Sequence, residues 1–409
     1  MTEVKAIIPI MLLLLFLLVL FQFPAKANEL TPIQLTFGNV DSFTPNISGD
    51  GSKVVFMSGY NDSSEIYVIN SDGTGLKQLT NNQAYDDGPT VSNDGAKIAF
   101  NSYINGTFQV CIVNSDGSGL KQLTDNPGGS LGPQISGDGK KVVFCKHLGS
   151  DKNLTGDVEI FEIDSDGTSE RQVTFNDQYV TMPSTNYNGD KIVFVSSGLF
   201  VVNSDGTSLK GLCSMSGVTR PQISEDGDMI AFLKYTYTFP YSETHDVYVV
   251  RSDGQGLKQM TNDGKSVSPS LSGDGKRVAF HSLANGSYTS IVMETDGLYE
   301  HTITNAYTPS LNDDGSKIAF ASDMTGQSEI YVTSLTTDES PTPTASPAPT
   351  VLLPTIEPTQ TTQITQPVSQ DSNQAILTAT AIVIAIVAAA SVSLVFFKRR
   401  KSKTAGKET

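Results

Sequence analysis

Between Asn28 and Leu335 the chain alternates short apolar runs with turns rich in Gly, Asn and Asp. Val54-Val-Phe56, Ile66-Tyr-Val-Ile69 and Ile98-Ala-Phe100 are continuous apolar runs, without the polar alternation of a half-buried strand. Such runs predict strands buried on both faces, as in a sheet sandwiched between two others. Pairs such as Asp50-Gly51 and Asp72-Gly73 between the runs carry hairpin chemistry, because Gly accepts positive φ. One motif, Pro-x-aliphatic-Ser-x-Asp-Gly-x-x-aliphatic-small-Phe, begins at Pro45, Pro89, Pro133, Pro183, Pro221, Pro269 and Pro309, at a mean interval of 44 residues. A second, aliphatic-x-Val-aliphatic-Asn-Ser-Asp-Gly-x-x-Leu-Lys-Gln-Leu-Thr, follows each of the first six, most clearly at Ile66–Thr80 and Val110–Thr124. A period near 44 with four short strands per unit predicts a seven-bladed β-propeller, an all-β fold. The repeated Pro is expected to open the innermost strand of each blade, where its missing N–H does least harm.

Ring closure is also readable. The seventh unit ends at Ile330-Tyr-Val-Thr-Ser-Leu335 without its Leu-Lys-Gln-Leu-Thr strand, and an orphan copy, Thr31-Pro-Ile-Gln-Leu-Thr36, stands near the start. That copy is expected to complete blade seven and leave no open edge.

The repeats resemble the TolB-like, WD-repeat-like β-propeller family, whose unit reads Pro-x-aromatic-Ser-Pro-Asp-Gly-Lys-x-Ile-Ala-Phe. Pro269-Ser-Leu-Ser-Gly-Asp-Gly-Lys-Arg-Val-Ala-Phe280 is a close copy, and the resemblance runs from Leu30 to Leu335. The family's aromatic is aliphatic here (Ile47, Val91, Ile135, Ile223, Leu271, Leu311) or Thr185, and its second Pro is Gly, Asn, Glu or Asp. The resemblance implies the fold. Because the family spans transport factors, peptidase propeller domains and lyases, it implies no single activity.

The flanks read as membrane signals. Ile7 to Phe23 is an uncharged, Leu-rich run followed by Ala25-Lys-Ala27, so residues 1–27 are expected to be a cleaved secretory signal. Thr336 to Gln374 is rich in Thr, Pro, Ser and Gln and reads as an extended stalk. Ala375 to Phe397 has no charge over 23 residues, enough to span a membrane, and stops at Lys398-Arg-Arg-Lys401. The basic tail, 398–409, is expected in the cytoplasm, and the propeller, 28–335, outside it.

The formal net charge is -16, and residues 28–397 alone carry 41 acidic against 19 basic side chains. This argues against a nucleic-acid partner, whose phosphates need a clustered basic surface. Twelve of the acids sit in the fixed turns: Asp50, Asp94, Asp138, Asp226, Asp274 and Asp314, and Asp72, Asp116, Asp166, Asp205, Asp253 and Asp296. Turn geometry accounts for them. Asp164-Ser-Asp166-Gly167 lacks the later ligands of a calcium loop, so no metal is expected there.

Loop lengths separate the two rims. The turns of both motifs keep constant length and share one rim. The loops after each motif Phe vary from 5 to 16 residues and lie, with the interblade links, on the other. Function is expected on the variable rim. Its ligand-binding candidates are Tyr235, Tyr237, Phe239, Tyr241 and His245 in the blade-five insert, and Tyr85, Asp86, Asp87, Tyr179, Arg220 and Tyr307 in the links. Phe43 and a polar blade-three insert, Lys146 to Asp157 with His147, belong to the same rim. Arg220 is the one cation directly before a repeated Pro, which makes it the candidate anion subsite. Sequons at Asn61, Asn105, Asn153 and Asn285 are glycosylation candidates; Asn46, placed at the start of an inner strand, is a poor one.

Catalytic chemistry is not apparent. Gly128-Gly-Ser130-Leu-Gly132 matches a nucleophile elbow in letters, but falls in an interblade link and not at a strand-to-helix turn. His147 and His245 fall on loops, His281 and His301 in blade six, without ligand spacing. Cys111, Cys145 and Cys213 read as buried thiols. No cofactor or metal is called for. The expectation is a membrane-anchored, extracytoplasmic module that binds proteins or glycans and is not an enzyme. The alternatives are a polysaccharide lyase or hydrolase working at the channel mouth, and a surface-layer component.

Overall fold

Seven four-stranded antiparallel sheets account for every strand among the described residues. The computed structural model describes residues 30–335 apart from 39, 60–62, 83, 150–156, 176–178, 239–241 and 285. The expected signal, stalk, span and tail therefore lie outside the described residues, within which no helix is long and apolar enough to cross a membrane. Blade one shows the pattern: an inner strand Ser42–Ile47, then Lys53–Ser58 and Glu65–Asn70, then a two-residue outer strand Lys77–Gln78. In blade seven the strands Tyr307–Leu311, Lys317–Ser322 and Glu329–Ser334 receive Ile33–Gln34 as their fourth member. Ile33 pairs with Val332 and Gln34 with Tyr331, so the N-terminal copy closes the ring as expected.

The core lies between the blades. Seven buried apolar clusters each span one pair of neighbours; the closing one joins Ala319, Ala321, Ile330 and Val332 to Leu35, Ile47, Val54, Phe56 and Ile69. The seven motif phenylalanines (Phe56, Phe100, Phe144, Phe194, Phe232, Phe280 and Phe320) are at most 1% exposed. Five of them stack on an aromatic of the third strand, as Phe56 does on Tyr67 at 5.7 Å. In blades two and six the paired residue is Cys111 or Ile291. Cys111 is thus a small apolar filler, and burial pushes its thiol up to about 12.

Two repeated devices explain motif letters that packing does not. The final Thr of the second motif accepts the N–H of the third strand: Thr80 from Ile66 at 2.9 Å, and likewise Thr124, Thr174 and Thr261. Each of these hydroxyls donates to the acidic or amide side chain just before the residue whose N–H it accepts: Glu65, Gln109, Glu159 and Asp246. Thr36 repeats the device in blade seven, with Ile330 and Glu329. The second device is a ring of backbone hydrogen bonds at the residue after each motif Ser (Asn in blades four and seven). Asp50 N–H donates to Asn93 C=O, Asn93 to Gly137, Asp138 to Tyr187, Tyr187 to Glu225, Glu225 to Gly273, Asp274 to Asp313 and Asp313 to Gly49, all at 2.8–3.1 Å. Seven blades are thereby tied head to tail around the channel.

The repeated Pro does not open the inner strand. Pro45 is the fourth residue of Ser42–Ile47, and the ladder skips between Phe43 and Asn46. The same skip occurs in all seven blades. A β-bulge takes the Pro nitrogen out of the ladder, which is why an interior Pro is tolerated. Asn46 consequently lies near the end of its strand, its Oδ1 accepting Val91 N–H at 3.3 Å.

Candidate ligand-binding site on the variable rim

The rim of fixed turns is occupied by its own architecture. All twelve turn aspartates accept the backbone N–H two residues on, as Asp50 does from Ser52 and Asp72 from Thr74 at 2.9 Å. The neighbouring cations also serve the ring: Lys97, Lys191 and Lys317 donate to the carbonyls of Gly139, Gly227 and Gly51 in the next blade.

On the variable rim the bulges create a second ring of positions. The residue before each Pro has positive φ in every blade: Thr44 48°, Gly88 58°, Gly132 68°, Met182 55°, Arg220 51°, Ser268 53° and Thr308 48°. For non-Gly residues that region costs about 1–3 kcal/mol and persists where surrounding structure enforces it. Here the bulge enforces it seven times. Only Arg220 of this ring was singled out in the sequence; Ser268, Thr308 and Met182 were missed. The column before the seven prolines was the signal that would have found them.

Arg220 is exposed to solvent, yet surrounded by enough protein that desolvation lowers its pKa. It stays charged at neutral pH. Its Nη1 reaches Ser268 Oγ at 3.5 Å and its N–H donates to Met182 Sδ at 3.3 Å. Among the described residues no carboxylate ion-pairs with it. Two imidazoles feel its charge. His281, 7% exposed, is pushed down to about 3 by burial and then by Arg220. Its Nδ1 accepts Thr308 N–H at 3.2 Å, so the neutral ring carries its proton on Nε2. His245 is also lowered, by burial foremost, with Glu243 and Asp246 opposing and Arg220 reinforcing. Its Nε2 is buried without a partner among the described residues.

Aromatic rings frame this sector. Tyr235 stacks on His245 with centroids 4.4 Å apart. Tyr288 packs against Tyr307 at 5.5 Å and edge-on to His281 at 5.4 Å. Tyr307 donates to Ser328 Oγ at 2.6 Å. The blade-five insert is no separate loop: it lengthens the hairpin Met229–Thr238 and Ser242–Arg251, and Tyr237 stands 62% exposed on it. Phe239 and Tyr241 lie outside the described residues, as do Asn61, Asn153 and Asn285. Asn105 occupies a two-residue Asn-Gly turn, with φ of 53° and 91°, and is exposed.

Other candidates fall elsewhere. Asp86 is completely buried, held by Asn82 Nδ2 at 3.0 Å, and is not part of an open surface. Its polar side chain belongs to the blade interface. Asp87 accepts from Asn101 at 2.8 Å and is pushed up to about 6, mainly by burial. Tyr85 packs edge-on to Phe108 at 6.3 Å; Tyr179 is 51% exposed, away from the described contacts of Arg220. The two histidines expected on loops are on strands: His147, 3% exposed, ends Lys141–His147, and His245 lies within Ser242–Arg251. Both strands run further into the variable rim than the motif spacing indicates.

The other end of the channel was not anticipated at all. Asn93, Glu225 and Asp313 are ring residues whose side chains meet there, with Asn93 donating to Asp313. They fit because Gly49, Gly137 and Gly273 occupy other ring positions. A Cβ on Gly49 would stand 2.3 Å from Asp313 Oδ2, and one on Gly137 2.4 Å from Glu225 Oε2.

Residues 35–155 match the family model of the TolB beta propeller domain. Comparison with curated protein sequences finds no match. Among solved structures, an oligogalacturonate lyase in complex with manganese is similar at a TM-score of 0.58 and 16% identity, over 75% of this chain and 97% of that one. The oligogalacturonate lyase of Vibrio parahaemolyticus gives 0.59 and 13%, over 77% and 96%. The β-propeller domain of the Trilobed protease from Pyrococcus furiosus gives 0.53 and 14%, over 74% and 97%. At such identities the likeness establishes the propeller fold and no activity.

Proposed function

We propose that this chain, whose repeats belong to the TolB-like β-propeller family, is a binding module that presents its variable rim to a protein or glycan outside the cytoplasm. The observation that carries the reading is the convergence in blades five to seven of Arg220, His245 and His281 with Tyr235, Tyr288 and Tyr307. Rigid strands position these groups, while the opposite rim spends its polar groups on turns and blade-to-blade bonds. Aromatic faces beside a cation with no ion-pair partner among the described residues suit an amphipathic ligand with an anionic group. The uncharged run 375–397 and the basic tail support a membrane tether with the propeller on the far side.

The test is binding of the full-length protein to arrays of glycans and peptides, repeated with the blade-five hairpin shortened by removing residues 236–243. Loss of at least tenfold in signal is expected. Binding that survives both this deletion and Arg220→Gln would place the site elsewhere.

A second reading, a lyase or hydrolase acting at the same mouth, is favoured by His245, an imidazole that burial shifts toward its neutral form, with a nitrogen unpartnered among the described residues and within reach of the Arg220 charge. It predicts turnover of an acidic polysaccharide, scored as new chain ends with and without added manganese. Equal amounts of new ends with and without protein would reject it.

A further inference from the structure

The groups around Arg220 define the chemistry of one end of the ligand. Arg220, Ser268 and Thr308 occupy the same repeat position in three successive blades, with φ of 51°, 53° and 48°. Equivalent bulges around a ring project their side chains in equivalent ways, and the 3.5 Å approach of Arg220 Nη1 to Ser268 Oγ shows that neighbours in this series reach each other. Thr308 Oγ1 is shut off from solvent and has no hydrogen-bond partner among the described residues. A hydroxyl in that state lacks an acceptor and is unfavourable until one arrives. Thr308 N–H is spent on His281 Nδ1, which fixes that ring as a donor through Nε2. In a chain of net charge -16, this cation reaches a hydroxyl and forms no ion pair among the described residues; Glu243 and Asp246 act on the neighbouring His245.

We propose that Arg220, Ser268 and Thr308 wall a pocket for a monoanionic oxyanion, a carboxylate or a sulfate ester, that anchors the ligand of the variable rim. The inference rests on that rim being the ligand face. One guanidinium offers a single positive charge in a fork that matches two oxygens, and the hydroxyls supply further donors. Burial lowers both imidazoles, so at neutral pH they add no second charge, and a dianion would keep an uncompensated one. The same ring leaves room for the rest of the ligand in blade three. There Gly132 takes the equivalent position, and a Cβ on it would meet nothing within 4 Å.

The experiment is isothermal titration of the full-length protein in detergent with methyl sulfate, acetate and inorganic phosphate at constant ionic strength. Saturable binding of methyl sulfate or acetate is expected, unchanged within about twofold between pH 7 and 8, because Arg220 stays charged there and burial keeps His281 and His245 below that range, Glu243 and Asp246 opposing the shift of His245. Which of the two binds more tightly identifies the natural group. Phosphate should weaken as it becomes a dianion. Arg220→Gln should abolish binding. Arg220→Lys, which keeps the charge, should weaken it, and Thr308→Val should weaken it about tenfold, the usual worth of a hydrogen bond to a charged group. Melting curves without anion verify that each variant folds. No saturable binding by the wild type, or binding indifferent to both Arg220→Lys and Thr308→Val, overturns the pocket. Array binding that persists in that case leaves the binding-module reading standing, whereas anion binding without any array signal overturns the module and not the pocket.

Discussion

Replacing Glu225 by Gln should stabilise the protein in alkaline solution and flatten its dependence on pH. Glu225 faces Asp313 and Asn93 across the fixed-turn end of the channel, with Asp138 and Asp226 nearby, and its Oε2 is buried without a partner among the described residues. Burial first, then the Asp313 charge, pushes its carboxyl from 4.5 to about 8, against a hydrogen bond from Asn93. Asp313 is raised to about 6, by burial first and then by the charges of Asp314, Asp50 and Asp274. A folded pKa above the unfolded one means that the native state holds the proton more tightly. The stability it contributes is therefore complete below about pH 4.5 and is lost as pH rises through 8. Three to four decades of proton affinity, at about 1.4 kcal/mol each, set a ceiling of about 5 kcal/mol. The two carboxyls titrate as one coupled pair and Glu225 is partly solvated, so about 2–3 kcal/mol is the working figure. For a propeller of this size that amounts to roughly 3–6 °C of melting temperature. The assay is thermal unfolding followed by circular dichroism between pH 5 and 9. Wild type should lose stability across this range, while Glu225→Gln, whose amide can donate to Asp313, should lose much less. A flat wild-type profile, or an equally steep one in the variant, would refute the coupling.

Two further perturbations probe the architecture. Thr36→Val removes the hydroxyl that joins Glu329 to Ile330 N–H in the closing blade; about 1–3 kcal/mol should be lost in urea unfolding, and a loss under 0.5 kcal/mol would deny the latch. Gly128→Ala would put a Cβ 2.3 Å from the Gly149 carbonyl oxygen and 3.0 Å from that of His147. About 1–3 kcal/mol of destabilisation is expected, whereas Ser130→Ala, whose hydroxyl is buried and unpartnered among the described residues, should fall within about 0.5 kcal/mol of wild type. A reversed order would mean that the serine, and not the glycine, matters in this link.

Blade count and closure were legible in the chain because each is local and repeated. A turn aspartate bonds two residues ahead, a motif Phe lies a constant distance from it, and an orphan Leu-Thr copy has one vacancy to fill. Repetition turns weak propensities into a strong signal. The proposed ligand-binding sector was legible in part: Arg220, Tyr235, His245 and Tyr307 were candidates from the start, while Ser268, Thr308 and Tyr288 were not. These residues lie far apart along the chain, and an unremarkable Ser or Thr acquires meaning when a bulge points it toward Arg220. Asp86 shows the converse. It reads as a rim acid, but blade packing buries it completely. Whether Asn93, Glu225 and Asp313 meet likewise depends on three glycines from other blades leaving them space. Secondary structure and ring closure follow from contacts within one repeat and its neighbour. Burial, the absence of a partner and the sharing of a proton depend on what the full ring brings across the channel, and no repeat encodes that alone.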